Sequence, residues 1–316
     1  MKVLVTCPLM LGVMDRFYPT FEKYAAQATA PAVVQSLSEE ELIELVPQHD
    51  GWIIGDDPCT RRVLEAGKAG RLKAAVKWGV GVDNIDFAAC KDLGIPITNT
   101  PGLFGAEVGD TAMGYVIALA RESFQIDRGV HEGDWPKPTG ISLAGKTAAL
   151  IGFGDIGKNT AARLLASGLK VIAYDPFVGQ VPQLPSVERA EWPLRLEEAD
   201  YIVLTCSLTP SSRKIINGDS LSRAKQGVRI VNVSRGQVID QTALAASLAS
   251  GKVYSAALDV FEVEPLEMDS PLREHPRVVF GSHNASNTIE AVTRGSETAI
   301  RKLMEFLGSE PACGNG

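Results

Sequence analysis

The glycine run Gly152, Phe153, Gly154, Asp155, Ile156, Gly157 constrains this chain more than any other feature. It follows the apolar run 148–151 and opens a stretch with helical spacing over 155–167 that carries Ala161, Ala162 and Leu164. Glycine-rich turns are common, but a strand–turn–helix context is what the dinucleotide fingerprint demands. Gly152 permits the tight turn, Gly154 lets a pyrophosphate approach the backbone, and Gly157 allows the helix to pack closely on the strand. The helix start offers amide donors and a positive dipole end to phosphates. Eighteen residues past Gly157, the run 170–174 ends in Asp175, placed to accept from ribose hydroxyls and to repel a 2′-phosphate. Pro176, Phe177 and Val178 follow, with no arginine among them, so NAD is expected over NADP.

Short apolar runs recur on both sides of this motif. Residues 3–6, 51–54, 74–77 and 96–98 read as buried parallel strands, and 148–151, 170–174, 201–205, 229–232, 254–258 and 278–280 as a second series. Helical patterns fall between them. Ser38-Glu-Glu-Glu41 has the form of a capping box opening a helix through Val46, and further helices are expected at 60–69, 86–93, 240–250 and, as one long segment, 105–130. A helix over 288–307 is expected to return and close the first series. At 316 residues, two domains are the default. The expected fold class is therefore α/β, with a small α/β unit and a doubly wound dinucleotide fold. Residues 1–99 plus 287–316 would form the substrate-binding domain, and 100–286 an inserted NAD-binding domain. The tail 308–316 is expected to fray.

Composition excludes some classes. The balance of 31 basic and 38 acidic residues gives a net charge of −7, which argues against nucleic acid or an anionic membrane as a partner. No apolar run approaches the ~20 residues of a membrane span. The opening Met1-Lys-Val-Leu-Val-Thr-Cys7 is better read as a first strand than as a leader. Cys7, Cys59, Cys90, Cys206 and Cys313 are scattered and include no C-x-x-C, so neither a disulfide framework nor a metal site is expected, and reduced thiols in the cytoplasm are.

Three reactive side chains follow successive strand-like runs: Arg235 after 229–232, Glu264 after 254–258, and His283 after 278–280. In a parallel sheet the loops at the carboxyl ends of the strands share one edge, where ligands bind. A guanidinium suits a carboxylate or a polarised carbonyl, and Glu264 beside His283 would favour the protonated imidazole. In the first series, Gly79-Val-Gly81 directly follows 74–77, a glycine loop whose amides suit an anion, or else a plain turn. Lys77 just before it is placed to reach a phosphate. Asp56 and Asp57 after 51–54 read either as a solvated turn, the favoured reading, or as carboxylates that resist a phosphorylated tail and favour hydroxyls or an amine.

These segments resemble the D-isomer-specific 2-hydroxyacid dehydrogenase family, the phosphoglycerate dehydrogenase-like branch in particular. The likeness is carried by Gly79-Val-Gly-Val-Asp-Asn-Ile-Asp86, Asn99-Thr-Pro-Gly102, Gly152 to Gly157 with Asp175, Asn232-Val-Ser-Arg-Gly236, Asp259-Val-Phe-Glu-Val-Glu-Pro265 and His283-Asn-Ala-Ser286, in family order. It implies two Rossmann-like domains with doubly wound parallel sheets and an interdomain cleft, an NAD-dependent oxidoreductase acting on a small 2-hydroxy or 2-oxo acid, and a homodimer built on the cofactor domain. By resemblance, Arg235 binds substrate, Glu264 tunes His283, and His283 is the acid/base. Lys77, Gly79, Val80 and Gly81 belong to the substrate side, and Thr205, Ser234 and Asp259 join the cofactor set, Asp259 meeting the nicotinamide carboxamide. Val108-Gly-Asp110, Thr205, Ser207 and Asn284 to Ser286 depart from the usual residues, which leaves substrate identity open. A hydroxypyruvate or glyoxylate reductase and a catalytically idle NAD-sensing partner protein are the rival readings. A cysteine hydrolase built on Cys206 would leave the glycine fingerprint unexplained.

Overall fold

The structure is a computed structural model that describes residues 1–311, so Cys313 and the tail beyond Pro311 lie outside the described residues. The chain forms two compact units, one from Met1–Phe104 with the chain from Asn287 on, the other from Gly105–Ser286.

In the first unit, β1 (Lys2–Val5), β2 (Gln27–Thr29), β3 (Gly51–Ile54), β4 (Ala74–Lys77) and β5 (Ile97–Asn99) form a parallel sheet in the order β2-β1-β3-β4-β5. The apolar runs of β3 and β4 are buried along their whole length, as strands covered on both faces must be. Ser38 caps the helix Glu39–Leu45 by the reciprocal bonds of a capping box with Glu41. The helix Ile289–Phe306 packs on β3 and β4. A Cβ added to Gly51 would meet Leu303 and Leu307 at 3.0 Å, and Trp78 donates its indole N–H to Ser296 at 3.0 Å. Ile300, Leu303 and Met304 are fully buried, each contributing roughly 1.5–3 kcal/mol over exposure.

In the second unit, β6 (Thr147–Ile151), β7 (Lys170–Tyr174), β8 (Val187–Arg189), β9 (Tyr201–Leu204), β10 (Val228–Asn232), β11 (Val253–Leu258) and β12 (Val278–Phe280) form a parallel sheet ordered β12-β11-β10-β9-β6-β7-β8. The order reverses at β6, between β9 and β7. That reversal is the topological switch point, and the glycine run leaves the sheet there.

Three local expectations need correction. The strands β2 and β8 carry no apolar run; each is a three-residue edge strand with a partly exposed face, invisible to a hydrophobic pattern. The expected single helix over 105–130 is two helices, Gly105–Arg121 and Ser123–His131, broken at Glu122, whose φ is +56°. The break has a tertiary cause: Ile141 donates its amide to Ala120 at 2.8 Å, and Gly140 lies so close that an added Cβ would come within 2.6 Å of the Ala120 carbonyl. The returning arm takes the carbonyl that a continued helix would use.

Candidate active site and dinucleotide pocket

The glycine turn is dictated by close backbone approach. Gly152 has φ +93°, and an added Cβ would lie 2.5 Å from Cys206 Cα. At Gly157 it would lie 2.2 Å from the Gly152 carbonyl oxygen. At Gly154 it would meet nothing within 4 Å. The first and third glycines are thus required by the protein itself, whereas the second leaves open room above the start of the helix Asp155–Ala166, where amides and dipole favour a phosphate. Thr205 ties the turn down by donating its hydroxyl to the Gly152 carbonyl at 2.8 Å. Phe153 is buried, and its amide donates to Asp175 Oδ2 at 2.7 Å.

Beyond the turn lies a pocket of about 960 Å³, lined by Gly152, Gly154, Asp175, Arg189, Trp192 and Thr205 among others. The second carboxylate oxygen of Asp175 accepts from the amides of Phe177 (2.8 Å) and Val178 (3.2 Å). With two acceptor sites on each oxygen, the carboxylate retains capacity for a ribose hydroxyl. The expectation that no arginine stands near Asp175 fails. Arg189, from the edge strand β8, donates to the Asp175 carbonyl and lies over the Phe153 ring, 5.6 Å from its centroid. Sequence distance hid it: strand pairing of β8 with β7 brings it back. Cys206 lines the same pocket, where burial pushes its thiol up to about 11. A thiol so raised is a poor nucleophile at neutral pH, against the cysteine hydrolase reading.

The three reactive residues leave the carboxyl ends of β10, β11 and β12. Asn232 closes the turn after β10: its amide donates to the Arg235 carbonyl at 2.9 Å, and its Oδ1 accepts from the amide and hydroxyl of Ser234. The Ser234 hydroxyl is therefore turned inward to Asn232. Gly236 approaches the next loop so closely that a Cβ would lie 1.8 Å from the Phe261 carbonyl carbon, so only glycine lets these two loops meet. In that second loop Glu264 Oε1 accepts from the Phe261 amide at 2.9 Å, and Oε2 accepts from His283 Nδ1–H at 2.7 Å. The pair is three-quarters buried or more, with side-chain exposures of 20% and 23%, so the contact is little screened. Nδ1 committed to a carboxylate leaves Nε2 to exchange a proton. His283 itself holds φ +56°, a strained conformation for a residue with a side chain.

Asp259 explains how that strain is held. Its carbonyl accepts from the His283 amide at 2.7 Å, and its buried carboxylate accepts from the amides of Asn284 (3.2 Å) and Ala285 (2.9 Å). Tyr115, on the helix Gly105–Arg121, stands 3.5 Å from the same carboxylate, and burial followed by the Asp259 charge pushes its phenol up. Nothing in the sequence pointed to Tyr115, which sits in an ordinary helical pattern.

In the first unit, the Gly79–Gly81 loop follows β4. Gly79 has φ +115°, and its amide donates to Thr100 at 2.8 Å, so that amide is committed within the protein. Asn99 holds the loop by donating to the Val80 carbonyl at 2.9 Å. Lys77 is not an unpaired cation: it is buried and pairs with Asp56 at 3.0 Å. Asp57 is fully buried, so the solvated-turn reading of Asp56 and Asp57 does not hold. Among the described residues no cluster of three or more His, Cys, Asp or Glu is placed to hold a metal, and no helix is long and apolar enough to cross a membrane.

Residues 113–285 match the pattern of the D-isomer specific 2-hydroxyacid dehydrogenase, NAD binding domain. The chain is 40% identical over 279 residues to a hydroxypyruvate reductase of Thermotoga maritima, covering 87% of this chain and 90% of that protein. It is 34% identical over 316 residues to a D-3-phosphoglycerate dehydrogenase of Methanocaldococcus jannaschii, covering 98% of this chain but only 58% of that longer protein. A Thermus thermophilus protein of known structure superposes with a TM-score of 0.87 at 29% identity, covering 98% of both chains.

Proposed function

The chain belongs to the D-isomer specific 2-hydroxyacid dehydrogenase family, with an NAD-binding domain over residues 113–285, and from that premise we propose that it interconverts a D-2-hydroxy acid and its 2-oxo acid. The observation that carries the reading is the His283–Glu264 pair at 2.7 Å, held at the strand edge that also bears Arg235 and the glycine turn.

NAD, when bound, supplies or takes up the hydride. Its pyrophosphate would lie over Gly152 to Gly157, with Phe153, Asp155 and Ile156 shaping the turn, and its adenosine ribose on Asp175. Thr205 joins it from the pocket wall, and Ser234 and Asp259 act from beneath, since their hydrogen bonds hold the surrounding loops. In the reducing direction, His283 Nε2–H donates its proton to the substrate oxygen as charge develops there. Glu264 holds the ring by Nδ1 and favours its protonated form. Arg235 aligns the carboxylate and polarises the carbonyl, a contribution concentrated in the transition state. From the first unit, the amides of Val80 and Gly81 receive the substrate carboxylate; Gly79 shapes that loop without donating to substrate.

The test is reduction of a panel of 2-oxo acids with NADH. His283→Ala should lower kcat by roughly 10²–10⁴, and Arg235→Ala should raise KM as well as lower kcat. Glu264→Gln removes the charge that favours imidazolium, so the decline of reduction with rising pH should move to lower pH. Near-normal turnover in His283→Ala, or an unmoved pH profile in Glu264→Gln, rejects these roles.

The same reading includes a homodimer. Ile117 (44%), Phe124 (43%) and Trp135 (77%) are exposed apolar side chains on the two helices and arm of residues 105–138, and support a second copy of this chain as the cover. Light scattering at micromolar concentration checks this: a monomer overturns it. Free cysteines at positions 7, 59, 90 and 206 support a reducing compartment, the cytoplasm.

A further inference from the structure

Relatives of this chain divide between phosphorylated and unphosphorylated three-carbon acids by name, and the first unit carries a charge arrangement that bears on the choice. The turn after β3 is pinned from within. The Asp57 carboxylate accepts from the amides of Leu37 (2.9 Å) and Gly55 (3.0 Å) and from the Thr6 hydroxyl. Asn84, just past the Gly79–Gly81 loop, donates to the carbonyls of Asp57 (2.7 Å) and Gly55 (3.2 Å). The two loops are thereby stapled together, and Asp56 is presented from a fixed backbone.

Asp56 divides its oxygens. Oδ1 takes the Lys77 ammonium at 3.0 Å, and Oδ2 accepts from the Gln35 side-chain amide at 3.1 Å. Lys77 retains only 4% side-chain exposure against 33% for Asp56, so the cation lies behind and the carboxylate is the more accessible group. A Cβ on Gly79 would stand 3.9 Å from Lys77 Nζ. The trio therefore borders the loop whose amides are assigned to the substrate carboxylate.

A phosphate dianion there would have to draw Lys77 away from Asp56 and settle beside a carboxylate. Breaking a buried pair leaves an uncompensated charge, and a like charge at contact acts as a repulsive element against the wrong ligand. A hydroxyl meets neither obstacle: it donates to Asp56 and accepts from Gln35 or Lys77 with the ion pair intact.

We propose that Gln35, Asp56 and Lys77 form the subsite for the substituent on carbon 3 of the substrate, and that this substituent is an unphosphorylated, hydroxyl-bearing group. The assignment rests on the dehydrogenase reading above and adds the substrate class to it.

The experiment compares kcat/KM with NADH for hydroxypyruvate, 3-phosphohydroxypyruvate and pyruvate, in the unmodified protein and in Asp56→Asn. A site built to bond a hydroxyl rejects analogues lacking it strongly, so hydroxypyruvate should lead each of the others by roughly 10²-fold. Asp56→Asn should reduce its lead over 3-phosphohydroxypyruvate by about tenfold or more, since the repulsive charge is gone and Lys77 is released. Ratios taken within one preparation cancel general damage to the enzyme, and the ratios of the unmodified protein stand even if the variant folds poorly. Equal or better turnover of 3-phosphohydroxypyruvate by the unmodified protein overturns the inference and leaves the dehydrogenase reading intact. So does a variant that slows all three substrates by one factor, which makes Asp56 merely structural. No turnover of any 2-oxo acid overturns the dehydrogenase reading, and the inference with it.

Discussion

The two units are both parallel α/β sheets, yet they build their sites by different means. The second unit relies on backbone. Gly152, Gly157 and Gly236 sit where a Cβ would lie 2.5, 2.2 and 1.8 Å from another backbone atom, so the loops at its strand ends are fixed by atoms that glycine lacks. In the first unit the turn after β3 has one such contact, at Gly55, whose Cβ would lie 2.8 Å from the Thr6 carbonyl oxygen, and a network of side-chain charge is added to it. Asp57, Asp56, Lys77, Gln35 and Asn84 come from four separate loops or strand ends and hold one another through ion pairs and amides. Backbone devices tolerate almost no substitution, and they serve the part of the ligand that dinucleotides share. Charge networks can be retuned residue by residue, and the one proposed above as the carbon-3 subsite would face the part of the substrate that varies.

That contrast predicts unequal consequences of mutation. Gly157→Ala should be the most damaging, because the added methyl strikes the Gly152 carbonyl at 2.2 Å and neither backbone segment can yield cheaply. NADH affinity, read by fluorescence titration, should fall on the order of 10²-fold, as misplacement of a site by an ångström does. An affinity within threefold of the parent would break the distinction drawn here.

Asp175→Ala should act more mildly, since it removes an acceptor and leaves the turn in place. NADH should weaken by about tenfold, the worth of a hydrogen bond to a charged group. NADPH should improve relative to it, because Arg189 remains in the pocket to meet a 2′-phosphate. The double variant with Arg189→Ala separates the two effects: the relative gain for NADPH should shrink to what relief of the Asp175 repulsion alone supplies. A gain that survives undiminished would show that Arg189 takes no part in it.

The smallest effect on ligand binding is expected at Asp50 of the first unit, where the change is in stability instead. Burial alone would raise its carboxyl, but the Lys2 amide at 2.9 Å and the Arg71 guanidinium at 2.9 Å outweigh burial and hold it at about 2, below the ordinary 3.8. A carboxyl lowered by folding stabilises the protein above pH 3.8, and that contribution is lost as pH falls through about 2. Asp50→Asn should therefore cost on the order of 2 kcal/mol at pH 7, by urea midpoint. The gap between parent and variant should narrow as pH is lowered from 4 toward 2. A gap independent of pH would assign the loss to packing.

How much of this was legible without coordinates follows the same division. The apolar runs at 51–54, 74–77, 170–174 and 278–280 fall on β3, β4, β7 and β12 residue for residue, because a strand buried on both faces has little freedom in composition. The glycine turn and Asp175 were legible because the strand–turn–helix motif and the following strand set their spacing, although Gly152 packs on Cys206, distant in sequence. Arg235, Glu264 and His283 could be named from their places after strands, but their geometry could not. The 2.7 Å pairing of His283 with Glu264, and the Asp259 carboxylate gripping the turn beyond His283, depend on adjacent loops meeting across β11 and β12. Arg189, Tyr115 and the Asp56–Lys77 pair were decided by tertiary structure alone. Each depends on strand order or on a helix packing against a loop, and an exposed charged residue and a buried paired one are written with the same letter. The sequence determined where the chain must be strand, turn and helix, because those constraints are local. Tertiary structure decided which charges meet, because a charge takes its partner, its solvation and hence its chemistry from residues that only folding brings near.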